Sequence, residues 1–295
     1  MEATTNLAKA EKLMDGAVDM HIHTSPDLFP RLASDIEVAR EAMEAGMGGI
    51  VIKNHFTTTA DRAQIARDTT GFPVYGGLVL NNPVGGLNPD AVEISLQFGA
   101  KIIWMPTIYA EIQLKGKPHV PMFDHVIKPG MSGISLLDSQ QDIKKEIRAI
   151  IELIIQYNAV LATGHISKLE AALLAEQAAK MGYKKIMLTH PLSPMLGYSI
   201  KEIKELIDKG VNFVELNILD TTKVVNNPIS IKTIVQAVKS IGPQNAVMAT
   251  DGGQPINPSP VKMLKQYINV MLDHGIPEQS IKTMVRDNPE ILLDI

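Results

Sequence analysis

The sequence contains no cysteine among its 295 residues. This absence excludes disulfide bonds, thiolate metal ligands and cysteine nucleophiles. No window of about 18 uninterrupted apolar residues occurs, so we expect no membrane span. The first 16 residues have no apolar segment of the kind found in signal peptides. We therefore predict a cytoplasmic protein, in which any metal is held by histidine, carboxylate or a modified side chain.

The sequence also has little excess charge of either sign, because the formal net charge is only -4 and the charged residues are spread along the chain. The sequence lacks the basic stripe of a nucleic-acid-binding protein. We expect a small-molecule substrate as the partner, with no nucleic acid and no membrane, and a homo-oligomer is compatible with the composition. No linker-like stretch rich in glycine, serine or proline is present, so we predict one domain over residues 1–295.

Short apolar runs alternate with amphipathic helical patterns along the chain. The predicted strands are residues 17–23, 49–55, 74–80, 101–106, 160–165, 186–190, 212–217 and 246–251. This alternation predicts a parallel sheet, and eight such units predict an α/β protein with a closed (β/α)₈ TIM barrel. A long connection at about 107–139 is expected to be functional, with His119 and His125 as candidate lid contacts. Helices from about residue 260 are expected to close the barrel.

Metal-type side chains follow the predicted strands at the ends where barrel enzymes carry their chemistry. The first strand ends in His21-Ile-His23, and side chains alternate faces along a strand, so both imidazoles are expected to point into the barrel. The same parity places Lys53 and His55 on one inward face of the second strand. Such a pair of histidines suits two ligands of one metal ion.

Further strands end in polar residues of the same kind. His165 and His190 each close one strand, Asp251 closes the last, and the seventh carries Glu215 or Asn217 inward, depending on register. A single histidine after a strand is more often a satisfied structural group than a ligand. Independent burial of several such groups would cost several kcal/mol, whereas one shared cation satisfies them all. We therefore predict a metal site.

The order of these residues along the strands resembles the amidohydrolase superfamily. The features that carry the resemblance are His-x-His on the first strand and single ligands on the fifth, sixth and eighth strands, namely His165, His190 and Asp251. Segments such as VIKNHFTTTADRA, VLATGHIS and TDGGQPINPSP are similar to a poorly characterised branch of it. The resemblance covers nearly the whole chain, and it implies a (β/α)₈ barrel with one or two divalent metals that activate water.

One departure from that superfamily concerns the bridging ligand. Many binuclear members carry a carboxylated lysine or a glutamate at the end of the fourth strand, but that strand here, Lys101-Ile-Ile-Trp-Met-Pro, ends with neither. The inward lysine is Lys53, on the second strand. Two interpretations stay open: Lys53 is a carbamate that bridges two metals, or it is an unmodified lysine near the substrate.

The resemblance implies roles for the remaining candidates. Asp251 is expected to ligate metal and act as the catalytic base, in a centre of Zn²⁺, Mn²⁺, Fe²⁺ or Ni²⁺, an identity that ligand type does not decide. The metal ligands are expected to be His21, His23, Lys53, His165, His190 and Asp251. The candidate substrate contacts are Arg31, His55, Glu215 and Asn217.

The predicted function is a metal-dependent hydrolase that uses an activated water on a small-molecule amide, lactone or ester. One alternative is a metal-dependent decarboxylase or lyase on the same barrel. Another is a phosphoesterase of the polymerase-and-histidinol-phosphatase type, which usually ends in an Asp-x-His pair, whereas this chain has Asp251-Gly-Gly. A third is a non-catalytic metal-dependent binding protein.

Overall fold

A computed structural model describes residues 2–115, 126–128 and 130–295, with side chains from residue 6 onward. The strands are β1 (Val18–His23), β2 (Gly49–Lys53), β3 (Val74–Tyr75), β4 (Gly77–Val79), β5 (Ile102–Trp104), β6 (Val160–Ala162), β7 (Ile186–Leu188), β8 (Phe213–Asn217) and β9 (Ala246–Ala249). His119 and His125 lie outside the described residues, as does part of the predicted long connection.

Helices follow nearly every strand. They are α1 (Glu2–Met14), α2 (Asp35–Glu44), α3 (Ala60–Thr70), α4 (Pro89–Gln97), α5 (Glu111–Leu114), α6 (Lys145–Gln156), α7 (Lys168–Lys180), α8 (Ile200–Asp208), α9 (Ile231–Ile241), α10 (Pro260–Asp273), α11 (Glu278–Lys282) and α12 (Asn288–Leu293). Short 3₁₀ turns occupy Asn82–Val84, Ile218–Thr221 and Pro243–Asn245, and a π-helical turn spans Thr283–Asp287. None of the described helices is long and apolar enough to cross a membrane.

Every pair among the described strands is parallel, and the strand order follows the chain order, β1-β2-β3 in one sheet and β4 to β9 in the other. The predicted α/β barrel architecture is thus confirmed, with the difference that the strands form two ladders instead of one closed sheet. The predicted third strand is divided at Gly76 into β3 and β4. A side chain at Gly76 would approach the Thr59 carbonyl oxygen to 2.2 Å, so glycine is required there.

The two gaps between the ladders are joined by isolated hydrogen bonds. Between the first and last strands, the His23 amide donates to the Gly252 carbonyl at 2.8 Å and the Asp251 amide donates to the His21 carbonyl at 2.9 Å. Between β2 and β4, the Thr59 hydroxyl donates to the Ile52 carbonyl at 2.7 Å and accepts from the Gly77 amide at 2.9 Å. These contacts hold the polar ends of all strands around one centre.

The helices bury their apolar faces against the outside of the sheet. In α6, Ile147, Ile150, Ile151 and Ile154 recur at helical spacing and are fully buried. Capping boxes begin α2, α7 and α8, where Ser34, Ser167 and Ser199 each pair with a glutamate three residues later. These signals fix where each helix starts after its strand.

A second apolar layer fills the barrel interior below the polar strand ends. It includes Val18, Met20, Val51, Trp104 and Val247, all essentially without solvent exposure, together with Leu292 and Leu293 from α12. The predicted C-terminal helices begin at Pro260, and the last of them covers the bottom of the barrel. The interior floor therefore leaves only the upper strand ends for chemistry.

Candidate metal centre

The first histidine pair, His21 and His23, converges on Asp251. The Nε2 atoms of the two rings are 3.3 Å apart, and they lie 3.2 Å and 3.1 Å from Asp251 Oδ1. One ligand atom from each of the three residues lies within 4.8 Å of the others. The structure thus brings together the polar ends of the first and last strands, as the sequence predicts.

A β-bulge directs this pair into the barrel. The pairing of β1 with β2 shifts register between Asp19 and Ile22. Met20 packs in the interior layer and Ile22 in the outer core, so Met20 and His21 both face inward despite being adjacent. Bulges re-aim side chains in this way next to functional sites. The bulge allows the apolar floor and the His-x-His pair to share one strand.

Glu215 lies behind His21 and fixes its hydrogen. Glu215 Oε1 accepts from His21 Nδ1 at 2.7 Å and from the side-chain Nδ2 of Asn217 at 2.7 Å. Glu215 has no solvent exposure. Because a carboxylate only accepts, His21 Nδ1 carries a hydrogen, and Nε2 is the ring atom that faces Asp251 and His23. Burial alone would raise the pKa of Glu215, but the charge and hydrogen bond of His21 outweigh burial, so the pKa lies below its usual value. Glu215 and Asn217, which are predicted from the sequence to contact substrate, thus contact His21.

The second histidine pair, His165 and His190, lies beside the first. The two Nε2 atoms are 3.1 Å apart, and the His190 ring stacks on the His21 ring with centroids 5.9 Å apart. Burial lowers the pKa of His190 to about 4 and that of His165 well below its usual value. Neither Nδ1 atom has a hydrogen-bond partner among the described residues. Both rings are therefore neutral at neutral pH, with their Nε2 atoms turned to one point.

Two threonines hold the ends of the strands that carry this pair. The Gly164 amide donates to the Thr189 hydroxyl at 3.0 Å, and the Thr189 amide donates to the Thr163 hydroxyl at 3.0 Å. The backbone then leaves the strand direction, with φ of 59° at Gly164 and 22° at His190. A side chain at Gly164 would approach the Met105 carbonyl to 2.2 Å, so glycine is required there. These turns orient the second histidine pair.

Lys53 reaches the centre from β2. Its Nζ lies 3.1 Å from His21 Nε2 and 5.2 Å from the centroid of the Trp104 ring, and the side chain is 1% exposed. Burial lowers the pKa of Lys53, partly offset by the carboxylates of Asp251 and Glu215. The inward orientation expected from parity is what the structure has, and the lowered pKa favours the neutral amine.

Arg31 is occupied by protein groups. Its Nε donates to Asp27 Oδ2 at 2.8 Å and its Nη2 donates to His23 Nδ1 at 3.2 Å. The His23 hydrogen therefore sits on Nε2 and faces Asp251. Burial, with the charge of Arg31, holds the pKa of His23 well below its usual value. A cation at His23 Nε2 would require that hydrogen to move to Nδ1, where it would face the N–H of Arg31, so His23 as a metal ligand would lose its contact with Arg31.

Comparison with known proteins supplies a family. The model of a family of unknown function, DUF6282, matches residues 16–215. The chain belongs to the DUF6282 family. None of the curated protein sequences compared with it matches. The family assignment covers most of the barrel, including both histidine pairs and Lys53, and names no activity.

Solved structures similar to this DUF6282 chain share its fold at low identity. An organophosphorus hydrolase from Deinococcus radiodurans has a TM-score of 0.59 at 14% identity, covering 96% of this chain and 93% of the other. An amidohydrolase from Pseudomonas aeruginosa has 0.59 at 11%, covering 97% and 99%. A probable dipeptidase from Pseudomonas aeruginosa has 0.63 at 10%, covering 98% of each chain. The predicted resemblance to the amidohydrolase superfamily is confirmed for the fold.

The donor set fits a divalent metal ion. Zinc–nitrogen bonds of 2.0–2.1 Å in a tetrahedral site place two ligand atoms about 3.3–3.4 Å apart. The Nε2 separations of 3.3 Å and 3.1 Å in the two histidine pairs are near this value. Burial raises the pKa of Asp251, but the charge of His21 and the hydrogen bond from His23 outweigh burial and keep it well below its usual value. A cluster of imidazole nitrogens around an anionic carboxylate suits a cation.

Several residues that support the site carry no signal in the sequence. Asp19 is fully buried and accepts from the Thr250 hydroxyl at 2.6 Å, which ties the first strand to the last. Asp27 holds Arg31, and Asn81 and Thr107 contact His55. Parity along a strand could have suggested Glu215 as a partner of His21. Asp27 and Arg31 lie in one loop, whereas the contacts of Asp19, Asn81 and Thr107 join segments that only the folded chain brings together.

Proposed function

We propose that this protein is a metal-dependent hydrolase acting on a small-molecule ester, lactone or amide. The observation that carries the proposal is the convergence of His21, His23 and Asp251, with Glu215 holding the His21 hydrogen on Nδ1. A carboxylate behind a histidine is the usual outer support of a metal ligand. Solved structures of the same fold include hydrolases, which is consistent with this chemistry.

Bound metal would supply one effect, lowering the pKa of a coordinated water from about 15.7 towards about 7. His21, His23 and Asp251 would hold one ion, and His165 with His190 would contribute to a second. Asp251 is anionic at neutral pH, so one carboxylate oxygen can ligate while the other orients the water and takes its proton. The ester, lactone or amide carbonyl lies between the two histidine pairs in this scheme.

Lys53 is proposed as the bridging ligand after carboxylation. A neutral amine attacks CO₂, a carbon–nitrogen bond forms and one proton is released, which leaves an anionic carbamate. The lowered pKa of Lys53 favours the neutral amine that this step needs. We expect wild type to bind near two metals and Lys53→Ala near one, with partial rescue by a short carboxylate. One metal in both proteins would leave Lys53 as a substrate contact.

The positions of three other residues suggest supporting roles. Glu215 and Asn217 are proposed to orient His21, and Arg31, held by Asp27, to orient His23 in the metal-free state. His55 is proposed as the substrate contact.

The metal is proposed to be Zn²⁺, Mn²⁺, Fe²⁺ or Ni²⁺, and the protein is proposed to be cytoplasmic.

The experiment that tests the function combines metal analysis with product analysis. Purified protein is loaded with Zn²⁺ or Mn²⁺ and assayed with a lactone, an aryl ester and an N-acyl amino acid in ¹⁸O-labelled water. We expect bound metal and incorporation of solvent oxygen into the product. Turnover without solvent oxygen in the product would favour the decarboxylase or lyase alternative. Protein that binds no metal would refute every enzymatic proposal made for this centre.

A further inference from the structure

The orientation of the Asn81 amide, just beyond β4, is fixed by backbone partners. Its Oδ1 accepts from the Thr107 amide at 2.9 Å and from the Tyr109 amide at 3.4 Å, and its Nδ2 donates to the His55 carbonyl at 3.0 Å. A backbone N–H only donates and a carbonyl only accepts, so oxygen and nitrogen cannot be exchanged. Asn81 is fully buried. Its remaining N–H therefore points in a known direction, to Thr107.

Thr107, three residues beyond β5, passes this polarity on to His55. Asn81 Nδ2 donates to the Thr107 hydroxyl oxygen at 2.7 Å, so that oxygen accepts. His55 Nδ1 lies 2.9 Å from the same oxygen and is the remaining described partner for the hydroxyl hydrogen. The hydroxyl therefore donates to Nδ1. A neutral imidazole carries one hydrogen, which must then sit on Nε2.

This arrangement separates His55 from the metal ligands. If His55 bound a metal through Nε2, its hydrogen would move to Nδ1, and two donors would face the Thr107 hydroxyl oxygen. The hydroxyl hydrogen would then lack a partner among the described residues, in a position without solvent exposure. Such a loss costs about 1–3 kcal/mol. His21 has the opposite polarity, because Glu215 draws its hydrogen to Nδ1 and frees Nε2.

We propose that Asn81 and Thr107 hold His55 as the Nε2–H tautomer, so that His55 donates a hydrogen bond to an oxygen of the substrate and is no metal ligand. Asn81 and Thr107 are positioning residues, and His55 touches the substrate. The His55 ring lies at the centre, stacked on the His23 ring at 5.0 Å and edge-on to the His165 ring at 6.4 Å. Nε2 makes no hydrogen bond to any described residue. It can therefore reach the reacting carbonyl of the proposed hydrolase, on which this inference rests.

The surroundings of His55 select a neutral substrate with an apolar substituent. Phe29 and Phe56 lie 6.3 Å and 6.2 Å from its ring and pack with Ile108 and Tyr109 in one buried cluster. The cation beside this cluster, Arg31, is paired with Asp27. An anion on this wall would lose its hydration without gaining a free counter-charge. We therefore assign an apolar ester or lactone, whose carbonyl oxygen accepts from His55.

The first test reads the tautomer directly. Protein with ¹⁵N-labelled histidine is studied by long-range ¹H–¹⁵N correlation in the zinc-loaded state, and the His55 signals are assigned by their loss in His55→Gln. We expect a protonated Nε2 and an unprotonated Nδ1. Thr107→Val, which keeps the shape but removes the hydroxyl, should release the tautomer, and Thr107→Ser, which restores the hydroxyl, should retain it. A protonated Nδ1 in wild type would overturn the inference.

The second test reads substrate binding with matched probes. We expect His55→Phe to lower kcat/KM for para-nitrophenyl butyrate by about 10²-fold, the usual loss for a donor to a reacting oxygen. His55→Gln, which retains an N–H donor, should recover part of it, and Thr107→Val should lose about 5- to 10-fold, one neutral hydrogen bond. Wild type should favour the butyrate over para-nitrophenyl phosphate, whose leaving group is the same.

Failure of the inference is distinguishable from failure of the proposed function. His55→Phe should keep its bound zinc, whereas His21→Ala should lose zinc. Loss of zinc from His55→Phe, or a preference of wild type for the phosphate, would contradict the inference while leaving a metal-dependent hydrolase in place. If wild type hydrolyses neither probe nor a lactone, the hydrolase proposal fails and the assigned substrate fails with it, even with the expected tautomer.

Discussion

The two histidine pairs of this centre are alike in separation but differ in what supports them. Both have Nε2 atoms near 3 Å apart, buried and turned towards each other. The first pair has a carboxylate beside its Nε2 atoms, Asp251, and a second carboxylate, Glu215, that accepts from His21 Nδ1. The Nδ1 atoms of the second pair have no hydrogen-bond partner among the described residues.

This difference suggests that the two positions bind metal unequally. Outer partners raise ligand basicity and fix ring orientation, and their loss typically costs 10- to 100-fold in metal affinity. The first pair is oriented before metal arrives, apart from the contact of His23 with Arg31. The second pair is oriented by strand-end turns and, in the proposed scheme, would depend on carboxylated Lys53 for its anionic partner. We therefore expect a tight first site and a weaker second site.

The largest expected effect follows from removing the first pair. His21→Ala or His23→Ala should lower kcat/KM by about 10³-fold or more, because the loss of the ion removes several kcal/mol of transition-state stabilisation. Bound metal should fall in parallel, measured by elemental analysis. The control is His274→Ala, which changes a histidine at the end of α10 whose ring contacts the Val270 carbonyl four residues earlier. A metal-loaded and active His21→Ala/His23→Ala double variant would contradict the expectation that the first pair forms the tight metal site.

Asp251→Asn should separate metal binding from proton transfer at the first site. The amide oxygen can still coordinate but cannot take a proton, so we expect kcat to fall by about 10²-fold. Metal content and thermal stability, measured on the same sample, should stay close to those of wild type. Unchanged turnover at neutral pH would remove Asp251 from the role of base.

Glu215→Gln sharpens the comparison, since it weakens only the outer support of the first pair. We expect metal affinity at the tight site to drop by about 10- to 100-fold, measured by competition with a chelator. Glu170→Gln changes another buried glutamate, one that caps α7 and contacts Ser135, and should leave metal affinity unaltered. Equal effects of the two variants would argue against an orienting role for Glu215.

The smallest effect is a pH dependence of the metal-free protein. Burial lowers the pKa of His190 from 6.5 to about 4 and holds those of His23, His55 and His165 well below 6.5. The unfolded chain therefore binds more protons below pH 6.5, and stability falls as pH drops through that window, by up to about 1.4 kcal/mol per pH unit for each group. Asp19 and Asp220 oppose this, because burial raises the pKa of Asp19 to about 7 and that of Asp220 well above its usual value, and their contributions are lost as pH rises.

Four histidines against two aspartates predict a net loss of stability on acidification. The Tm of chelator-treated protein should fall between pH 7 and pH 5. Zinc-loaded protein should keep a higher Tm at each pH, because bound metal stabilises the folded state. A Tm that rises on acidification of the metal-free protein would show that the rings are not buried neutral groups.

The sequence predicts the barrel and most inward residues because side-chain parity is a local property. Val51 and Lys53 on β2, and Phe213 and Glu215 on β8, follow the alternation. The His-x-His pair reaches the centre only through the bulge in β1, which parity does not contain.

Other features of the site depend on local backbone conformation or on contacts between distant segments. His165 and His190 are oriented by left-handed backbone after their strands end, and the pairing of Arg31 with Asp27 depends on the fold of one loop. The polarity of His55 depends on two residues from neighbouring strands, Asn81 and Thr107. The contacts that orient His55 join strand ends that are adjacent only once the sheet has formed, so no periodicity in the chain predicts them.

A zinc titration of metal-free protein tests the unequal-sites account most directly. Calorimetry on wild type, His21→Ala and His190→Ala should resolve two binding events in wild type. The tight event should disappear in His21→Ala, and only the weak event should disappear in His190→Ala. Wild type that binds no zinc, or loss of the tight event in His190→Ala with His21→Ala unaffected, would contradict it.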